Sequence, residues 1–145
     1  MKKILLSTIV SGMMFAYAAD IDVSNAYAKA TPPNAKNSGA FMLIKNNTDK
    51  DIALVSVTNN LSDVTELHTH VEENGMKKMI QIPKIDIKAN SITELKPGSL
   101  HIMFIGIKKP MVVGDNVKMT LTFDNGQTVT LDKVPVKEVK LIKMH

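Results

Sequence analysis

"ELHTHVEENGMKKMIQI", residues 66–82, decides the fold. Asn74-Gly75 sits between two strand-like runs and supplies the positive φ angles that a tight two-residue hairpin turn requires. The stretch therefore predicts two antiparallel strands. A two-residue loop pairs Glu73 with Met76, and continuing that ladder sets His70 opposite Met79 with His68 one diagonal step away. Residues two apart on a strand share a face, so His68 and His70 project together.

The same grammar runs through the rest of the chain. Asp124-Asn125-Gly126 separates "VKMTLTF" from "QTVTLDKV", and Asn-Gly there predicts a second tight hairpin whose arms are paired neighbours. Runs rich in Val, Ile, Thr and Leu alternate with turn-forming punctuation such as "TPPNAKNSG", "NNTDKD", "KPGS" and "VGDN". Strands are predicted near 21–29, 39–46, 51–58, 63–72, 77–82, 85–87, 91–95, 101–107, 116–123 and 128–136. No stretch after residue 19 holds a helical period over three turns. The fold class is all-β, a sandwich or barrel of antiparallel strands.

The N-terminus reads differently. Lys2 and Lys3 precede an apolar run from Ile4 to Phe15, and Ala16-Tyr17-Ala18 fits the small-x-small cleavage rule. Residues 1–18 are therefore predicted to be a secretory signal peptide, with the mature chain starting at Ala19. The run is shorter than the ~20 apolar residues of a spanning helix, and no cysteine follows it to carry a lipid, so no stable membrane anchor is expected. Residues 19–145 have the size of one domain, with a tail, "KEVKLIKMH", beyond the last clear strand.

Composition narrows the chemistry. Removing Lys2 and Lys3 takes the formal charge from +4 to +2, so part of the basicity belongs to the leader. Every cationic side chain is lysine, and the absence of arginine argues against nucleic acid, where the bidentate guanidinium is favoured. With no cysteine there is no disulfide, no thiol redox chemistry and no cysteine-ligated zinc. No nucleophile–base constellation or phosphate-cradling glycine loop is present either, so the chain does not read as an enzyme. Any metal site must be built from His, Met, Asp or Glu.

"LHIMFIGIKKP", residues 100–110, places His101 and Met103 on one face of an apolar strand. Singly these residues have plain explanations: a buried histidine satisfied by the core, and methionines filling irregular gaps. Brought beside the 66–82 hairpin, they give two imidazoles and two thioethers. Thioether sulfur is soft and neutral, a poor ligand for zinc, calcium or magnesium but well suited to copper(I), which imidazole also binds. Strand geometry alone leaves open whether His68 or His70 completes the set.

The spacing resembles a known family. His68, ten residues, Met79, twenty-one residues, then His101-x-Met103 is similar to the H-x10-M-x21-H-x-M pattern of periplasmic copper chaperones of the PCu(A)C type. "LKPGSLHIMFIGIKKPMVVGDNVKMTLTF" and "TPPNAKNSGAFMLIKNN" resemble the family's other segments, and the likeness runs from about Ala28 to Val136. It implies a cupredoxin-like Greek-key β-sandwich with copper(I) held by His68, Met79, His101 and Met103. It also implies delivery to the copper-site subunit of a respiratory haem-copper oxidase in the periplasm, alongside a thiol-bearing Sco-type protein. Many members have Met directly after the first histidine, where this chain has Thr69. His70 is left as a possible auxiliary ligand, as are Met144 and His145 by analogy with relatives that carry a His/Met-rich extension. Two other readings stand beside this one: periplasmic copper buffering or tolerance without an oxidase client, and a metal-free interaction sandwich.

Overall fold

The computed structural model describes residues 19–139. The proposed signal peptide and the Met144–His145 pair lie outside them. The described chain is ten strands: β1 Ile21–Lys29, β2 Asn37–Asn46, β3 Ile52–Asn59, β4 Val64–Glu73, β5 Met76–Ile82, β6 Ile85–Ile87, β7 Ser91–Leu95, β8 His101–Ile105, β9 Asn116–Phe123 and β10 Thr128–Lys137. Every strand read from the sequence is present, with ends shifted by a residue or two. β8 stops earlier than expected because Gly106 turns the chain at φ 71°.

Hydrogen-bonded neighbours run β5-β4-β8-β2-β1-β10-β9-β3-β6, with β7 beside the second half of β2. Among the described strands, only β1-β2, β4-β5 and β9-β10 pair as sequence neighbours; the other pairs cross between distant strands, the mark of Greek-key connection. Two layers share this path. β10 joins them: its last residues pair in parallel with β1 (Ala28↔Val136), its first with β9 (Thr128↔Thr122), and the register shifts between Leu131 and Val134.

Alternation along each strand decides what lies between the layers. Ala40, Met42 and Ile44 of β2 and Ile102 and Phe104 of β8 meet Leu54 of β3 and Leu121 and Phe123 of β9, all essentially without solvent contact. Asn46 is fully buried among them and is satisfied: its amide donates to the carbonyls of Lys50 and Ile87, and its Oδ1 accepts from Thr48 N and Oγ1. A buried amide left unpaired would cost about 1–3 kcal/mol. Its bonds pin the end of β2 to β6 in the opposite layer.

The two predicted turns resolve differently. Asn74 and Gly75 both take positive φ, 55° and 77°, and Glu73 pairs with Met76. Between β9 and β10 the pairing is as expected, but only Gly126 has positive φ. Gly126 N donates to Phe123 O, and Phe123 N to Gln127 O, making a wider loop in which a turn is followed by one left-handed glycine. Asn125 caps that loop by accepting from Gln127 N through its side chain.

Candidate metal centre

Because Ile102 and Phe104 point into the core, their neighbours His101 and Met103 must emerge on the outer face of the same sheet. β4 lies between β5 and β8, so its outward residues meet chemistry from both sides. The register is His68↔His101 and Glu66↔Met103 on one flank, and His70↔Met79 on the other. Five of the six are the residues read from the sequence. His68 is directly opposed to His101 and diagonal to both Met79 and Met103, spans of about 7–8 Å between backbones that long side chains cross. His70 faces Met79 directly but stands two ladder steps further from Met103.

The imidazoles are oriented by what they touch. His101 is 5 % exposed and its Nδ1 lies 2.9 Å from the Ser99 carbonyl, to which it donates, leaving the Nε2 lone pair free. Burial pushes the His101 pKa below its ordinary value; the Ser99 carbonyl opposes the shift, and His70 and His68 add to it. The neutral ring that results is the form that binds metal. His68 Nε2 lies 2.8 Å from Glu66 Oε1, and its Nδ1 is buried with no hydrogen-bond partner. An orphaned, enclosed nitrogen in a polar cluster needs an explanation, and a bound cation supplies one.

His101 also sits in an aromatic row. Its ring is 5.6 Å from that of His68 and 6.1 Å from Phe41, which is in turn 5.2 Å from Tyr27. Gly39 keeps the space beside it open: a Cβ there would come within 3.2 Å of the Ile102 carbonyl and 3.8 Å of His101 Cδ2. In front of this row opens a cavity of about 490 Å³, walled by His70, Met79, His101 and Met103 and by the Thr31–Pro32 and Pro97–Gly98 loops. Among the described residues no three His, Asp or Glu side chains gather as a metal-binding group. The side chains on this face offer imidazole nitrogen and thioether sulfur, with the Glu66 carboxylate beside His68.

Glu66, Ser99, Phe41 and Gly39 were not singled out from the sequence. Glu66 was within reach, because it lies two residues before His68 on the same strand face. Ser99 was not: it acts through its backbone from a loop, and no side-chain pattern reports that.

The family model described as "Putative lipoprotein LpqE-like" matches residues 21–136. "Putative lipoprotein Lxx21020" of Leifsonia xyli subsp. xyli is 33 % identical over 122 residues, 83 % of this chain and 72 % of that protein. Among solved structures, copper(I)-DR1885 from Deinococcus radiodurans superposes with a TM-score of 0.64 at 31 % identity, over 78 % of this chain and 75 % of that one. The copper-bound PCuAC domain from PmoF2 gives 0.71 at 22 % identity, over 85 % of this chain and 97 % of that domain, and so shares the cupredoxin-like sandwich. This chain belongs to the LpqE-like family, the family of PCu(A)C domains.

Proposed function

We propose that the protein is a periplasmic copper(I) carrier that holds its cargo on His68, Met79, His101 and Met103 and passes it to the copper centre of a respiratory haem-copper oxidase. The observation that supports this most is the outer-face cluster, where a buried His101 with its pKa lowered and an unpartnered His68 nitrogen share a face with two thioethers. The copper-bound members of the same fold point the same way. Neutral ligands leave the cation's charge largely uncompensated, and thioethers exchange readily. A thiolate from an acceptor, such as a Sco-type protein, can then enter the shell and take the ion stepwise. The absence of cysteine fits a carrier that gives copper up to thiols.

The test is the double variant Met79→Leu, Met103→Leu, which keeps side-chain volume and removes both sulfurs. Copper(I) affinity, measured by competition with a chromophoric chelator, should fall further than the about 10–100-fold that follows loss of an outer-shell partner. Affinity equal to the unaltered protein's would defeat the ligand assignment. Delivery is tested separately, by oxidase activity at limiting copper in cells lacking the gene: reduced activity supports an oxidase client, and normal activity with copper sensitivity supports buffering instead.

A further inference from the structure

Resting on the copper(I) reading, the geometry points to a second, outer position for the cargo, in which His70 replaces His68 while Met79, His101 and Met103 remain.

The two histidines occupy different surroundings. His68 is enclosed, its side chain 12 % exposed and its Nε2 tied to Glu66, and it is not part of the cavity wall. His70 is part of that wall, together with Met79, His101 and Met103. These four form a complete set of two imidazoles and two thioethers on the side open to an acceptor. Each histidine's ring is almost the same distance from that of His101, 5.4 Å for His70 and 5.6 Å for His68, so His101 serves as a pivot.

His70 is also prepared as a ligand. Its Nδ1 lies 3.4 Å from the Ser99 carbonyl, the same oxygen that accepts from His101 Nδ1 at 2.9 Å. One carbonyl thus sets both rings with Nε2 free, the orientation that an outer-shell acceptor imposes on metal-binding histidines. His70 directly opposes Met79 in the ladder, and the unbranched Met79 side chain, 44 % exposed, can swing between the two histidines. His68 is enclosed beside Glu66 whereas His70 stands on the cavity wall, so the two serve an inner and an outer position as alternatives. A shift between them spans about 7 Å along one strand and needs no backbone rearrangement.

The mature protein loaded with copper(I) separates this from simpler roles. In His70→Gln, affinity should weaken no more than about threefold while transfer to a chromophoric chelator, followed by stopped flow, slows about tenfold or more, the low end of the cost of losing a supporting group at a metal site. X-ray absorption of His68→Gln should still show two nitrogens and two sulfurs, falling to one nitrogen in the variant lacking both histidines. Unchanged transfer in His70→Gln, or an affinity loss matching that of His68→Gln with faster release, overturns the outer position; so does a single nitrogen in His68→Gln. If the unaltered protein binds no copper(I), the carrier reading fails and takes this assignment with it, a result plainly different from normal binding with indifferent exchange.

Discussion

His101 carries two demands that pull against each other, a place among buried residues and a free nitrogen lone pair, and the Ser99 carbonyl reconciles them by accepting the Nδ1 proton. Burial has a consequence for stability. The folded chain resists protonating His101, whereas the unfolded chain takes up the proton near the ordinary value of 6.5. The metal-free protein should therefore hold this contribution above about pH 6.5 and lose it as the pH falls below. Thermal unfolding at pH 7.5 and 5.5 checks this: the drop in Tm should shrink in His101→Gln, and an equal drop in both would exclude His101 as its source. At this scale the sequence was informative where chemistry sits in side chains of unusual type. Period-two spacing and one hairpin register picked out His68, His70, Met79, His101 and Met103 as candidates, and the family-like intervals chose among them. Ser99 acts through its backbone and Gly39 through the volume it leaves empty, and neither leaves a residue-type signal.

The β4–β5 hairpin is the element on which the proposed site depends, because it sets which side chains of β5 reach the outer face. A one-residue slip would turn Met79 to the opposite face and bring Lys78 or Ile80 in its place. Gly75, at φ 77°, holds the register, since a side chain there is strained by about 1–2 kcal/mol in the left-handed region. Gly75→Ala should destabilise the protein by about that amount in urea titration. It should also weaken copper(I) binding, although no ligand is altered; full affinity would show that the turn does not govern the site. Asn-Gly was decisive in the sequence here and less so at 125–126. There the Asn125 side chain bonds to Gln127 N and so favours a longer loop, a competition between side chain and turn that the dipeptide alone does not reveal.

Across the whole molecule, the core lies between two layers and the proposed metal ligands lie outside one of them. Loss of ligands should therefore leave folding nearly untouched, and loss of core contacts should leave the ligands in place. Asn46 tests the second half. Asn46→Ala strips partners from the Ile87 and Lys50 carbonyls and from Thr48, and should cost about 1–3 kcal/mol or somewhat more while copper(I) affinity at 25 °C stays unchanged. Coupled loss of both would mean that the layers and the site are not independent. The all-β class and the strand list were legible because punctuation and β-branched runs recur so regularly. The crossing of β10 from one layer to the other was not, since parallel pairing of Ala28 with Val136 joins segments more than a hundred residues apart and leaves no local trace.

The aromatic row has an optical consequence. The sequence holds no tryptophan and two tyrosines, of which Tyr17 belongs to the proposed leader, so a chain without that leader would have Tyr27 as its sole tyrosine. Phe41 stands between Tyr27 and His101, at centroid steps of 5.2 and 6.1 Å. Metal arriving at His101, two ring steps away, should dim or shift tyrosine fluorescence in proportion to occupancy. Emission indifferent to copper would show that the row is packing alone; a graded response would let the protein report its own cargo in solution, without any added dye.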